Sequence, residues 1–522
     1  MDGPISLCAY LRNASKISGD TGSDQAVSWV EFWLKECSRH HERCSNPETL
    51  RLPTRVLFLK GPKDVSLVVS NGEVASYACL SYCWGKRHPI KTTTSTHARY
   101  LEGIPWEDLP KTFQDAISFV YRLGIKYLWI DSLCILQDSI DDWLQEGSKM
   151  SHIYRDSLIT LSATLGEDSY EGLFTKSTPD HISQHLVTTD VDESLIGIHH
   201  RAPLRHTFHI SPLSSRGWVF QERLLSPRVL LFGREELMWE CRKGDVCECS
   251  SIVLDTSYEL GRQSASYDCL RSSSSVEELE YSWELLVEEY SAKSLTKVGD
   301  IFPALQGLAK VVSPVMGHYL AGHWNASLVH SLVWYRTFHA TVRVADRWCA
   351  PTWSWASSSG RVRWPNQGLR LRQSLCTVLS ATTVPIGEDV TGQLDSGWLV
   401  LKGKYLPCKT RYNTDSSRPF SSEIDTHVGS VSAGSSAFRR YPFILDRSEA
   451  IERHGEGDGP DAKAFLVCED SVAQYWLILT TAAISSAYKR LGLMIIEKWS
   501  PEGQETLRLF ESAAEEIEVT II

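Results

Sequence analysis

Basic charge is what this chain lacks first: 53 lysines and arginines against 64 aspartates and glutamates leave a formal net charge of -11. General affinity for nucleic acid or for an anionic membrane needs a basic surface, so neither is expected as a partner. Long apolar runs are missing too. No stretch of 18 apolar residues free of charge occurs, and the leader MDGPISLCAYLRNASK has no uninterrupted apolar core of the signal-peptide kind, which points to a cytoplasmic protein. No G-x-G-x-x-G turn follows a strand-like run, which disfavours an ordinary dehydrogenase. No G-x-x-x-x-G-K-[ST] loop is present, which removes an NTPase switch, and no repeat of 20 to 50 residues suggests a WD, ankyrin or TPR array.

What is there describes an ordinary globular chain. With 522 residues, 42% hydrophobic and 22% charged, it can bury a large core in two or three domains. Its 14 cysteines are scattered rather than dense, as expected of reduced thiols. Two groups resemble metal ligands: Cys37 to Cys44, reading CSRHHERC, and the trio Cys241, Cys247 and Cys249. Neither has a four-ligand set at the usual C-x2-C spacing, so no metal site is expected.

The organising stretch is Tyr127 to Ala163, which reads as strand, loop, helix, strand. Its first apolar run ends in Asp131, and Cys134, Gln137 and Asp138 follow at the edge where ligands meet open α/β sheets. Before it, Ser23 or Asp24 caps a helix carrying Val27, Val30, Trp33, Leu34 and Cys37 on one side, and Asn46-Pro47 stops it. Arg55 to Leu59 and Val65 to Val69 read as strands. Asn71-Gly72 signals a hairpin into a further strand, Tyr77 to Tyr82. A helix from about Thr112 to Leu123 closes at Gly124. Strand, helix, strand, helix, strand over Tyr77 to Ala163 predicts a parallel sheet with helices on its faces. Residues 164–213 read as an insertion, after which Trp218, Gln221 and Glu222 open a short helix before the strand Val229 to Phe232.

Further on, Val276 to Tyr290 shows a helical stripe, and the two tryptophans of APTWSWAS share one face of an extended segment. Arg411 to Arg440 reads as a flexible loop. Runs at Trp398 to Tyr405, Tyr441 to Leu445, Ala464 to Val467, Tyr475 to Leu479 and Leu493 to Ile496 predict a largely β, α+β C-terminal region.

YACLSYCWG at Tyr77 to Gly85, YLWIDSLCILQD at Tyr127 to Asp138, DWLQEGSKMSHIY, and RGWVFQERLLS at Arg216 to Ser226 together resemble the heterokaryon incompatibility (HET) domain of filamentous fungi. WELLVEEYSAKSLT, DIFPALQGLA and APTWSWASSSG extend the likeness to about residue 360. The expected division is an N-terminal helix and hairpin over 1–74, the HET core over 75–235 and the C-terminal region over 236–522. The resemblance implies nonself recognition and a cell-death response, with other incompatibility proteins or a second copy as partners.

HET domains are in turn similar to TIR domains, some of which cleave NAD at its nicotinamide ribose bond. By that analogy the core is a TIR-like parallel sheet, NAD is a substrate rather than a cofactor, and Ser215 to Glu222 matches the S-x-x-W-x-x-x-E segment holding the catalytic glutamate. Val219 stands where TIR segments usually carry cysteine. Glu222 is then the first catalytic candidate, with Asp131 beside it. Ser81, Tyr82, Trp84, Gln137, Arg216 and Trp218 are the ligand-binding candidates: indole rings to stack on a planar base, a guanidinium to meet phosphate. The bland reading makes Glu222 a helix carboxylate paired with Arg216 or Arg223, and Asp131 the cap of a turn. Two alternatives stand beside this: an enzyme acting on a small molecule with Cys83 or Cys134 as nucleophile, and a non-catalytic module acting by homotypic contacts. Glu146, on an amphipathic helix, reads as a solvent-facing charge near Lys149.

Overall fold

The computed structural model describes residues 17–44, 50–182, 185–191, 194–200, 211–250, 270, 272–337, 348–358, 360–365, 372–412, 421–426, 439–446, 457–482 and 486–522. The chain divides into two units, Met1–Ser264 and Ala265–Ile522.

In the first unit α1 (Asp24–His40) is capped by Ser23, whose hydroxyl accepts from the Ala26 amide at 3.2 Å. Val27, Val30, Trp33 and Cys37 form its buried face, as the spacing predicts, but the helix ends at His40, ahead of the Asn46-Pro47 stop, which lies outside the described residues. The strands β1 (Arg55–Gly61) and β2 (Asp64–Val69) pair with each other. Asn71 and Gly72 do turn the chain, with φ 49 and 80, yet they lead back only to an isolated Arg51–Val74 bridge. The expected hairpin into the next strand does not form. β3 (Ala78–Ser81) instead enters the sheet centre, where all four of its residues are buried, because an apolar run without polar alternation suits a strand covered on both faces.

The chain continues through α2 (His97–Glu102), α3 (Lys111–Arg122), β4 (Tyr127–Trp129), α4 (Asp131–Cys134), α5 (Ile140–Arg155) and β5 (Ile159–Ser162). Pro110 precedes α3, and Gly124 takes φ 74 just beyond it, the left-handed position that favours glycine after a helix. The insertion contains a short helix, α6 (Pro179–Ile182), and an antiparallel ribbon of β6 (His185–Val191) and β7 (Ser194–His200). Then come α7 (Gly217–Leu225), β8 (Arg228–Phe232), β9 (Leu237–Cys241) and β10 (Gly244–Cys247).

The sheet runs β10-β9-β8-β5-β3-β4-β1-β2. Its four central strands β4, β3, β5 and β8 are parallel, and antiparallel strands flank them on both sides. In chain order those four stand 2-1-3-4. This is the doubly wound order in which the chain reverses direction between the first and third strands, leaving a crevice at their carboxyl ends. Ser81 and Ser162 are register partners at that place. α1 belongs to the same unit as the four central strands, and β1 and β2 extend their sheet beyond β4.

Glu146 corrects the sequence reading. It is 1% exposed, accepts from Thr54 Oγ1 and from Lys149 Nζ at 2.9 Å each, and belongs to the face of α5 that buries Met150, Ile153 and Tyr154.

The second unit opens with α8 (Val276–Tyr290), whose Leu279, Trp283, Leu286 and Tyr290 are buried, and α9 (Gln306–Met316). Two short pairs follow, β11 (Tyr319–Leu320) with β12 (His323–Trp324) and β13 (Tyr335–Arg336) with β14 (Val362–Arg363). Trp353 and Trp355 are both buried, but on a turn and the 3-10 helix Trp355–Ser357 rather than on an extended segment. The indole of Trp355 donates to Gly322 O at 3.0 Å, which ties that turn down.

The large sheet of this unit comprises β15 (Gln373–Ser374), β16 (Cys376–Pro385), β17 (Leu394–Tyr412), β18 (Ser421–Thr426), β19 (Arg439–Leu445), β20 (Gly457–Glu469), β21 (Ala473–Thr481), β22 (Tyr488–Glu497) and β23 (Glu515–Ile521). Because β17 pairs with both β18 and β20, the path closes on itself like a barrel and leaves fewer free edges. α10 (Pro501–Ala513) packs against its apolar side chains, with Phe510 edge-on to Trp476 at 5.2 Å between centroids. The stretch Arg411 to Arg440, read as a loop, contains β18; residues 413–420 and 427–438 lie outside the described residues.

Candidate functional site

The site is built at the carboxyl ends of β3 and β4. β3 delivers Ser81, and the chain leaving it carries Tyr82, Cys83 and Trp84. α7 begins at Gly217, so Trp218 and Glu222, four residues apart, lie on one helix face. Ser81 Oγ donates to Glu222 Oε2 at 2.5 Å, across 141 residues of chain. Trp84 Nε1 donates to Asp131 Oδ2 at 2.7 Å. Asp131 is the first residue of α4, one past the N-cap position Ile130, and its Oδ1 accepts from the Ser132 amide at 2.7 Å without capping the helix. Arg216 joins the two halves by donating from Nη1 to Tyr82 O at 2.6 Å. Gln137 supports the floor, its side-chain amide donating to Asp131 O at 3.1 Å. Asp138 stands apart on the surface, where the Thr94 amide and hydroxyl hold it.

Burial dominates the electrostatics. Glu222 is 8% exposed, and desolvation lifts its pKa from 4.5 to about 7 against the opposing pull of the Ser81 hydrogen bond and the Arg216 charge. Asp131 moves in the same direction for the same reason, opposed chiefly by the Trp84 hydrogen bond. Burial thus disfavours the charged form of both carboxyls in one neighbourhood, a pattern that concentrates where acids and bases do chemistry. Tyr154 of α5 belongs here as well. Its phenol is driven far above the ordinary range, first by burial and then by the Glu222 charge. Sequence reasoning missed it, although it is the last residue of the DWLQEGSKMSHIY motif.

The cysteines fit chemistry poorly. Cys134 lies in α4, not in an open loop. It is 1% exposed and its pKa is pushed up to about 12 by burial, so the nucleophilic thiolate is scarce near neutral pH. Cys83 is raised too, burial outweighing Arg216. Both pack like apolar residues, Cys83 against Leu213 and Val219.

Trp84, Asp131, Arg216 and Trp218 are half-buried, whereas Ser81 and Glu222 are buried. Two cavities lie elsewhere. One of about 420 Å³ lies in the first unit, beside Arg51, Lys149, His152 and Asp156. The other, of about 350 Å³, lies in the second unit beside Tyr405, Lys463 and Tyr488. No helix among the described residues is long and apolar enough to cross a membrane.

A doubly wound α/β unit with polar groups gathered at its switch point is the class this architecture defines. Residues 77–222 match the family described as heterokaryon incompatibility protein (HET), and the chain carries that domain. The match runs from Tyr77, just before β3, to Glu222 itself, so it encloses Ser81, Asp131, Arg216 and Trp218. No curated protein and no solved structure matches the chain.

Proposed function

We propose that this chain is a nonself-recognition protein whose HET domain, once triggered, cleaves NAD at its nicotinamide ribose bond and so drives a cell-death response. The observation that carries this reading is the Ser81–Glu222 pair at the switch point of a 2-1-3-4 parallel sheet, where doubly wound folds place their ligands. In the reaction the N-glycosidic bond breaks, nicotinamide leaves with its electron pair, and water adds to the ribose carbon with loss of a proton. The intervening state is oxocarbenium-like, and the Glu222 carboxylate stabilises that positive charge while Ser81 fixes its orientation. Trp84 and Trp218 offer planar faces to the bases, and Arg216 offers a guanidinium to the pyrophosphate. Among the described residues no cysteine is paired in a disulfide, which suits a reducing compartment.

Glu222 is 8% exposed, so on this reading the site must open before NAD reaches it. Closure suits an effector that stays silent until it meets another incompatibility protein or a second copy. The same sealing also favours a second reading, a non-catalytic module acting through homotypic contacts. Incubating the purified full chain with NAD over a range of protein concentrations separates them. Nicotinamide release that Glu222→Ala abolishes, with the fold intact by circular dichroism, supports catalysis. Release that survives the substitution removes Glu222 from the chemistry, and an inert protein that self-associates supports the module.

A further inference from the structure

We propose that Cys37, His41, Cys44 and Cys241 hold a structural zinc ion. The sequence separates these residues into two unremarkable groups, a C-x3-H-x2-C run and a cysteine almost 200 residues later, and neither alone supplies four ligands. The fold brings them together, and their three sulfurs and one ring nitrogen all lie within 4.8 Å of one another. Tetrahedral zinc with Zn–S bonds of about 2.3 Å needs sulfur–sulfur edges of about 3.8 Å, so the cluster reaches coordination geometry by side-chain adjustments alone. His41 Nδ1 and Cys241 Sγ are already 3.4 Å apart.

Each ligand is placed by backbone structure. Cys37 lies in the last turn of α1, and His41 follows one turn later, its amide donating to Cys37 O at 3.1 Å. The 3-10 turn Glu42–Cys44 brings Cys44 back toward them, its amide donating to His41 O at 2.9 Å. Cys241 ends β9 opposite Arg228, the first residue of β8. The cluster therefore sits at the amino edge of the parallel strands, away from the edge that carries Ser81, and it is separate from the proposed catalytic site.

The surroundings suit a metal thiolate centre. Cys37, Cys44 and Cys241 are 1%, 0% and 8% exposed, with the half-buried His41 on the solvent side. Arg228, itself 1% exposed, donates from Nε to Cys37 Sγ at 3.3 Å and from Nη2 to Cys44 O at 2.7 Å, so one side chain steadies two ligand-bearing segments. Three thiolates, a neutral imidazole and a divalent cation carry one net negative charge, and the guanidinium offsets it. Such outer groups orient the ligands and tune the metal. Soft sulfur donors in a closed set of four select zinc and leave no position for substrate, so the ion's work is to fasten α1 to the sheet. The second cluster, Glu236, Cys247 and Cys249, offers three groups and serves as an internal control.

Metal analysis of the full chain, purified after growth with zinc and exhaustive dialysis, is the test. We expect one zinc per chain, lost in Cys241→Ser and kept in Cys249→Ser. Because Cys241→Ser can fail to fold, cobalt replacement in the unaltered chain gives an independent reading: thiolate-to-cobalt charge transfer of three-sulfur intensity with tetrahedral d–d bands. His41→Cys should keep the metal and strengthen the charge-transfer band. A chain that takes up no zinc, zinc lost from Cys249→Ser but kept in Cys241→Ser, or an octahedral cobalt spectrum overturns the assignment.

Discussion

Glu222→Gln should stabilise the protein, and should do so more as the pH rises. The buried carboxyl has its pKa raised from 4.5 to about 7, so between those values the folded chain holds a proton that the unfolded chain releases. Stability then falls as pH rises through this window, because the native state binds the extra proton there. At 1.36 kcal/mol per pKa unit, the ionised group costs about 3 kcal/mol at pH 8 and about 1 kcal/mol at pH 5. Glutamine is close to isosteric, keeps an oxygen for the Ser81 hydroxyl and does not titrate. The stability gap between variant and parent should therefore widen by about 2 kcal/mol from pH 5 to pH 8. In a unit of this size that is a relative shift in melting temperature of roughly 4 to 8 °C. Calorimetry of both full-length proteins at the two pH values measures it, and titrating groups that do not feel the Glu222 charge cancel in the difference. A gap that is flat, or one that favours the parent at pH 8, would refute the claim that Glu222 is held against its own ionisation. Retention of a carboxylate at such a cost is what a site serving function rather than stability would show.

Three further outcomes follow from neighbouring geometry. Ser81→Ala removes the hydrogen bond that holds the Glu222 pKa down, so the half-maximum of nicotinamide release, which needs the carboxylate, should move to higher pH by about one unit; a pH–rate profile checks it. Gly85→Ala should destabilise the loop behind Trp84 by more than the ~1–2 kcal/mol of left-handed backbone strain, since Gly85 has φ 69 and an added Cβ would lie 2.8 Å from Glu167 O; thermal unfolding reports this. In the second unit, Asp446→Ala should cost about 3–5 kcal/mol in a denaturant titration, because Arg490, fully buried and 2.7 Å from Asp446, would be left with carbonyl acceptors at Leu332 and Trp334.

Local regularities were legible in the sequence, and long-range pairing was not. The β3-to-β5 pattern stands out because apolar runs alternate with 3.6-residue stripes and glycine stops. The strand-end rule then gathers Ser81, Trp84 and Asp131 without coordinates. Asn71-Gly72 gives a true turn but no hairpin, since the apolar Ala78–Ser81 run gains more from burial between two parallel neighbours than from pairing with β2. Glu146 looked solvent-facing because Thr54, one of its partners, is 92 residues away. Tyr154 was hidden in the same way, in a helix whose stripe reads simply as core. The cysteine and histidine cluster escaped because its fourth member is supplied by β9. APTWSWAS misled because alternation suggests a strand, whereas the Trp355 indole bond to Gly322 O fixes a tight turn.

The central claim, that the segments through Trp84, Asp131 and Glu222 form one site for a nicotinamide dinucleotide, is tested most directly by a crystal structure of the full chain with a hydrolysis-resistant NAD analogue. The account predicts the nicotinamide-side ribose against Glu222, with an indole of Trp84 or Trp218 stacked on a base. An analogue seated instead in the cavity beside Arg51, Lys149 and His152, or no bound analogue at saturating concentration, would contradict it.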